Sequence, residues 1–175
     1  MRRLYFLFVP ALLFLIGCGG PATILLDVKA TSDKLTVDKA YNTATSILVD
    51  KGFDVKVANK DIGLITTEYK KWGSVDGNPP FDFYLQIKTQ IKTRADGKLL
   101  MIITPLVKEV NRLNSTAFTE HELRFLTDEE QKGYLTAYEE TVQSGQLLFL
   151  NVVQGYAEAL GLSMDQLEYD KKLQN

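Results

Sequence analysis

Two stretches of the chain repeat apolar residues every three or four positions, which is the spacing of one face of an α-helix. The first predicts a helix that begins after the N-cap residue Thr36 and ends at Lys51 and Gly52. The second starts behind a capping box at residues 127–130 and predicts a helix of roughly 33 residues that ends at Gly161. The apolar positions of the first helix are Val37, Ala40, Tyr41, Ala44, Ile47 and Leu48.

Between these helices, apolar and polar residues alternate with the period of two that is typical of half-buried β-strands. The clearest alternation covers residues 81–93, and a turn at Asp96 and Gly97 leads into a partner strand over residues 99–108. This partner strand is apolar on both faces, which indicates burial on both sides. The residues on its second apolar face are Leu100, Ile102 and Leu106.

Shorter runs and turn residues complete the predicted sheet. Residues 70–80 contain two glycines and two prolines, and this composition predicts a surface loop. Pro105 has no amide hydrogen to donate, so we expect it at a sheet edge or a β-bulge. A second capping box at Ser163 predicts a short tail helix within residues 163–175, with a frayed end. Further strands are predicted at residues 23–29, 53–57, 64–69 and 117–126.

The order of these elements predicts an α+β domain. One short helix, a series of antiparallel hairpins and a long helix would give a curved antiparallel sheet of about five or six strands that grips the long C-terminal helix. The shorter helix would lie near the N-terminus. Residues 23–162 are long enough to form this as one domain with its own hydrophobic core.

The beginning of the chain has a different pattern. Arg2 and Arg3 precede an apolar run from Leu4 to Ile16, and the sequence Leu15-Ile16-Gly17-Cys18 closes it. The run has 13 residues and contains Pro10, so it is shorter than the ~20 residues that a membrane-spanning helix needs. This arrangement resembles the signal peptide and lipobox of bacterial lipoproteins.

The resemblance implies that residues 1–17 are removed and that Cys18 carries acyl chains on its thiol and on its new amino terminus. Residues 18–22 would then be the lipidated cysteine and a short tether, and the lipid would hold the protein on a membrane. Gly19 stands where an aspartate would signal retention at the inner membrane, so the resemblance favours the periplasmic face of the outer membrane. The alternative is that the run is a membrane anchor or buried helix, with Cys18 as a core thiol.

Charge and cysteine content narrow the possible partners. Without residues 1–17, which include Arg2 and Arg3, the chain has 18 basic and 22 acidic residues and a net charge of −4. The sequence shows no polybasic run, so we expect no nucleic-acid partner and expect membrane attachment to come from the lipid. Cys18 is the only cysteine, which excludes disulfides and sites with several thiolate ligands within the chain.

The sequence offers little catalytic chemistry. His121 is the only histidine and lies between Glu120 and Glu122, so a hydrolase or metal site there is one hypothesis. Neighbouring residues of a strand point to opposite faces, which would turn both glutamates away from the imidazole. The acidic pair at 129–130 fits a helix cap, and the pair at 139–140 fits a solvated helix face. We therefore expect a protein that is not an enzyme and that has no cofactor and no metal.

Two features could contact a partner protein. Trp72 is the only tryptophan and lies at the start of the predicted loop, where it could anchor an interface or close one end of the core. The second feature is the segment 147–153 of the long helix, which is apolar on more than one face. Its residues outside the main apolar stripe are Leu147, Leu150 and Val153.

Residues 44–69 resemble helix-grip or TBP-like domains of envelope lipoproteins, such as an accessory lipoprotein of the outer-membrane β-barrel assembly machine. The likeness lies in a helix that ends in residues 48–53, followed by Val55-Lys56-Val57 and by residues 63–67. It implies an accessory or scaffold role with an envelope protein partner. The alternative is a small-molecule or lipid carrier with a cavity between sheet and long helix. That cavity would be lined by Phe81, Phe83, Leu85, Leu148 and Phe149.

Overall fold

A computed structural model describes residues 22–125 and 136–174 of the chain, and the side chains of 25–125 and 136–172. These residues form eight strands and two α-helices, with one 3-10 turn at Met164–Gln166 before the last strand. In chain order the elements are β1 (Ala22–Ser32), α1 (Val37–Asp50), β2 (Val55–Asn59), β3 (Leu64–Thr67), β4 (Lys70–Val75), β5 (Phe81–Thr93), β6 (Leu99–Asn111), β7 (Phe118–Phe125), α2 (Ala137–Leu160) and β8 (Glu168–Gln174).

All eight strands join one open antiparallel sheet. The strand order is β2-β3-β5-β6-β7-β1-β8, and β4 pairs with the first half of β5 beside β3. This arrangement, with a long C-terminal helix, confirms the predicted α+β class. The sheet has eight strands instead of the predicted five or six, because β4 and β8 lie in segments that the sequence pattern assigned to a loop and to a tail helix.

The central strand β6 changes neighbour halfway along its length. Residues 99–103 pair with β1, and residues 106–110 pair with β7. Pro105 lies at this change, in an interior strand, so its expected place at an edge or bulge was wrong. The amide of Ile87, which is opposite Pro105 in β5, donates to Thr67 Oγ1 on the far side at 3.0 Å. The nitrogen of Pro105 therefore also faces away from β5, towards the gap between β1 and β7, where no ladder bond is lost.

Both helices are capped by threonine. Thr36 Oγ1 accepts from the amide of Lys39 at 3.3 Å, and α1 buries the predicted face. Helix α2 has 24 residues instead of roughly 33, because the extended backbone of Thr136 begins it and Thr136 forms a capping box with Glu139. The box predicted at residues 127–130 lies outside the described residues. The helix ends at Gly161, which has a φ of 67°, as predicted.

The tail of the chain is a strand and not the predicted helix. After one 3-10 turn, β8 pairs antiparallel with β1 from Ala22↔Gln174 to Lys29↔Glu168. Its sequence is mostly polar, since it is the outermost strand of the sheet, and charged side chains protect such edges from pairing with other chains. Its weak apolar alternation explains why the sequence pattern did not reveal it.

The hydrophobic core lies between one face of the sheet and the two helices. Alternate residues of β5, among them Leu85 and Ile87, are completely buried and face Phe149 and Val152 of α2. Tyr156 is 1% exposed, and its hydroxyl lies 3.2 Å from Thr89 Oγ1, so its one polar atom is satisfied. We call this the inner face of the sheet, and the opposite face the outer face.

Candidate functional site

A cluster of polar and aromatic side chains lies at the edge of the core, where α2 begins. Five side chains from five elements meet there: Trp72 of β4, Phe83 of β5, Glu109 of β6, His121 of β7 and Tyr138 of α2. We call them the His121 cluster. The antiparallel register brings Glu109 and His121 to the inner face of the sheet, where Val107 pairs with His121 directly. The first turn of α2 then brings Tyr138 over both.

The hydrogen bonds of this cluster define the charge of His121. The imidazole Nε2 lies 2.9 Å from Glu109 Oε1, and Nδ1 lies 2.8 Å from the carbonyl oxygen of Glu122. The hydroxyl of Tyr138 donates to the same Glu109 oxygen at 2.9 Å. A carboxylate and a carbonyl can only accept, so both imidazole nitrogens make these bonds only when both carry hydrogen. The geometry therefore fits an imidazolium paired with a carboxylate.

The pKa values follow the same logic. The hydrogen bond to Glu109 raises the pKa of His121 above its ordinary value, against the effect of burial. Burial alone would raise the pKa of Glu109, but the hydrogen bonds from His121 and Tyr138 outweigh it and lower that pKa. Burial and the neighbouring carboxylate raise the pKa of Tyr138 to about 12, so its hydroxyl remains a donor at neutral pH.

The cluster makes stability depend on pH in a way that one substitution tests. His121 contributes stability that is complete below its unfolded pKa near 6.5 and is lost as pH rises through the raised folded pKa. Glu109 contributes stability that is present above pH 4.5 and is lost as pH falls through its lowered folded pKa.

We expect the loss of stability at alkaline pH to disappear in His121→Gln, measured by urea unfolding between pH 5 and pH 9. Lys39→Gln, which changes an exposed cation, should keep the wild-type profile, and an unchanged profile in His121→Gln would contradict the assignment.

Trp72 closes this corner of the core. Its indole Nε1 donates to the carbonyl oxygen of Thr141 at 2.9 Å, and its ring lies 5.7 Å from that of Phe83. A Cβ added to Gly145 would lie only 2.6 Å from the indole, so the glycine lets α2 approach β4. Trp72 thus lies in a strand, so the predicted loop was wrong for residues 70–75, whereas residues 76–80 do form a loop. A β-bulge between Lys71 and Gly73 interrupts the alternation that would have revealed the strand.

The contacts of the cluster are structural: an ion pair joins β6 to β7, and the hydrogen bond of Tyr138 to Glu109 joins α2 to the sheet. Within the described residues, no serine or threonine hydroxyl bonds to His121. The same residues contain no group of three or more His, Cys, Asp and Glu side chains that could hold a metal ion. Between the aromatic rings and His121 there is a space of about 10 Å³, which is the room of one water molecule.

The residues proposed to contact a partner occupy different environments. Leu147 is 56% exposed, Leu150 is partly buried against the core, and Val153 is completely buried within it. Val153 therefore belongs to the core and presents no surface to a partner, because the helix packs two sides of this segment against the protein. Trp72 is half-buried and bonded to α2. Cys18 and the glutamates at 129 and 130 lie outside the described residues.

The side chains proposed to line a carrier cavity are mostly packed inside the domain. Phe83 is 1% exposed, and Leu85 and Phe149 are completely buried, whereas Phe81 and Leu148 are half-buried. An open groove does exist between α1 and α2, but charged Asp50, Lys51 and Glu158 line it, together with small side chains. That groove lies on the helices and not between sheet and helix. The carrier hypothesis stays a prediction that none of these observations favours.

Glu109 is the member of the cluster that sequence reasoning missed. It continues the inner-face register of β6, in which every second residue from Leu99 to Val107 is buried. A carboxylate at the end of such a row is a signal for a cationic partner on the same face of the sheet. The partner itself comes from the pairing of β6 with β7, which the alternation of one strand does not reveal.

Known proteins offer little further comparison. No protein family and no curated protein matches the chain. Two similar solved structures are a DUF4468 family protein from Bacteroides ovatus ATCC 8483 and a TBP-like protein from Parabacteroides distasonis ATCC 8503. The first is 10% identical with a TM-score of 0.45, and the match covers 79% of this chain and 86% of that one. The second is 11% identical with a TM-score of 0.41, and the match covers 77% of this chain and 92% of that one.

The fold assignment therefore rests on the strand order and register of the chain itself. Neither α1 nor α2, the two α-helices of the described residues, is long and apolar enough to cross a membrane.

Proposed function

We propose that the protein is a lipid-anchored envelope lipoprotein, held by Cys18 on the periplasmic face of the outer membrane. There it serves as a non-enzymatic accessory or scaffold protein. The observation that carries the proposal is the sequence Leu15-Ile16-Gly17-Cys18 behind a short basic and apolar leader. Only three residues separate Cys18 from β1, so an anchored domain would lie close to the bilayer surface.

The place of β1 in the sheet suits this role. The first residues of β1 pair with β7 on one side and with β8 on the other. A force transmitted through the tether would act on a strand that is hydrogen-bonded on both edges. Such a strand detaches from the sheet less easily than an edge strand does. The anchor would thus be attached to a part of the fold that resists local unfolding.

The His121 cluster supports a scaffold more than an enzyme. Histidine is the side chain whose ordinary pKa lies nearest to neutral pH, and His121 is the only histidine of the chain. Both of its ring nitrogens are already hydrogen-bonded, one to Glu109 and the other to the carbonyl oxygen of Glu122. Its bonds hold β6, β7 and, through Tyr138, the start of α2. His121, for which the sequence allowed a catalytic role, thus joins elements of the fold.

The anchor is tested by Cys18→Ser in the full chain. Each acyl chain stabilises membrane binding by roughly 0.8 kcal/mol per buried methylene, so loss of the lipid should move the protein from the membrane fraction to the soluble fraction. Gly20→Ser, which leaves the lipobox intact, is the control and should stay with the membrane. The N-terminal peptide should also carry the mass of the acyl chains in the control alone. A Cys18→Ser protein that stays in the membrane fraction with an unmodified terminus would overturn the anchor.

The scaffold part has its own test. The protein is extracted in mild detergent and purified through a C-terminal tag, and we expect a partner protein in fixed ratio. A protein that always elutes alone and monomeric would count against a scaffold.

A further inference from the structure

The outer face of the sheet carries a second surface, on the side that neither α1 nor α2 covers. At the end of the β5–β6 hairpin, the register places Lys92 opposite Leu100, and Gln90 opposite both Ile102 and Leu64 of β3. Lys88 follows on the same face. We call these six residues, Leu64, Lys88, Gln90, Lys92, Leu100 and Ile102, the distal face.

The distal face combines apolar and cationic side chains. Leu64, Leu100 and Ile102 are half-buried, while Lys88 and Lys92 are exposed. The apolar residues on both faces of β6 predicted burial on both sides. Among the described residues, α1 and α2 cover the inner face, and no element covers the outer face. The sheet thus presents a short apolar strip with a row of ammonium groups beside it, which is the composition of a docking surface more than of a solvated one.

Charge is unevenly distributed along this hairpin. Residues 88–98 contain four basic residues and one acid, Asp96, which lies 3.6 Å from the Arg94 guanidinium. In the part of the chain that the structure describes, no carboxylate forms an ion pair with Lys88 or Lys92. The rest of the chain is acidic on balance, so this end of the sheet is a local positive surface. Unpaired cations on a rigid sheet attract and orient an acidic partner.

Position argues against the bilayer as that partner. Ser32, the last residue of β1, pairs with Leu99 at the start of β6, so Leu100 and Lys92 lie level with the C-terminal end of β1. Lys88 lies opposite Thr104, whose hydroxyl donates to Asp27 in the middle of β1, so the distal face extends from the middle of β1 to its C-terminal end. The tether from Cys18 enters at the other end, Ala22. A strand of this length spans about 33 Å, so the basic hairpin points away from the anchored end.

We infer that the distal face docks an acidic, partly apolar segment of another envelope protein. Apolar side chains of that segment would cover Leu100 and Ile102, and its carboxylates would lie beside Lys88 and Lys92. The inference rests on the proposed function, because attachment through Cys18 is what turns this surface away from the bilayer and keeps nucleic acid out of reach.

Photocrosslinking in cells tests the inference with the full chain. Benzoylphenylalanine replaces Gln90, which is exposed between the two lysines, and in a matched control it replaces Gln154, which is exposed on α2. We expect a crosslink to one protein from position 90 and none to that protein from position 154. The double change Lys88→Glu and Lys92→Glu should reduce the crosslinked product at least about fivefold. The pair Lys39→Glu and Lys172→Glu, with the same change of charge elsewhere, should leave it unchanged.

The identity of the crosslinked peptide decides the outcome. Mass spectrometry should place the adduct in a segment rich in Asp and Glu. An adduct with lipid, with nucleic acid or with a second copy of this chain would overturn the inference. So would an unchanged yield of crosslinked product after the charge reversal, or the absence of any crosslink from position 90. Failure of the proposed anchor would be distinguishable from failure of this inference. If the anchor is wrong, the Cys18→Ser protein remains in the membrane fraction and the crosslink from position 90 is unaffected.

Discussion

Replacing Gly63 by alanine is expected to destabilise the domain by about 3 kcal/mol or more, enough to remove a large part of the stability of a domain this size. Gly63 has a φ of +63°, in the left-handed region, which costs an L-residue roughly 1–2 kcal/mol. An added Cβ would lie only 1.9 Å from the carbonyl oxygen of Ile91, so backbone atoms would have to move. Such overpacking typically costs a further ~1–3 kcal/mol.

The close approach at Gly63 has a structural purpose. The amide of Ile91 donates to the carbonyl oxygen of Gly63 at 2.8 Å, so the β2–β3 turn is bonded directly to β5. A substitution there would break the pairing of the hairpin with the sheet as well as strain the turn. The effect should be measured by urea unfolding followed by circular dichroism.

Gly97 is the matched control for this prediction. It also has a positive φ, +80°, but no atom lies within 4 Å of the Cβ that an alanine would add. Gly97→Ala should therefore cost only the conformational term, roughly 1–2 kcal/mol. Equal losses at the two positions would mean that the contact with Ile91 does not decide the effect.

Replacing Phe149 by alanine is expected to cost about 3–5 kcal/mol, the usual range for a fully buried phenylalanine. Phe149 is completely buried at the middle of α2, where the helix faces the core residues of the sheet. Removing the ring leaves a cavity among atoms that two helices and the sheet hold in place. The free energy of unfolding, from urea titration, checks the size of the loss.

Leu147 provides the comparison within the same helix turn. It is 56% exposed, so Leu147→Ala should change the free energy of unfolding by less than about 0.5 kcal/mol. A small loss at Phe149, or a large one at Leu147, would show that α2 is rotated relative to the sheet. The same pair of variants also separates stability from partner binding, because Leu147→Ala remains folded while it removes an exposed apolar side chain.

Local patterns predicted the elements in which one face is buried. Helix α1 begins after Thr36 and buries four of its six predicted apolar residues, with Val37 and Ile47 half-buried, and β5 covers the predicted residues 81–93. These signals are local: a threonine caps its own helix, and alternation in one strand reflects one buried face. The α+β class followed from the order of such elements.

Sequence reasoning failed where a strand's pattern is interrupted or weak. In β4 a bulge beside Trp72 breaks the alternation, and β8 is an edge strand with few apolar residues. Helix α2 begins after Thr136, later than predicted, because Thr136 and Glu139 form a capping box that the prediction did not use. The two missed strands are defined by their pairing with β5 and β1, whereas the start of α2 is set by a local cap.

The sequence by itself determined the lipobox resemblance at Cys18, the fold class and most of the core, because these depend on short-range spacing. The tertiary structure decided that Glu109 pairs with His121, that Val153 is buried and that the indole of Trp72 bonds β4 to α2. It also gathered Lys88, Lys92 and Leu100 on one surface. Each of these depends on the register between strands or on helix rotation, which is set by long-range packing and not by the residues' immediate neighbours.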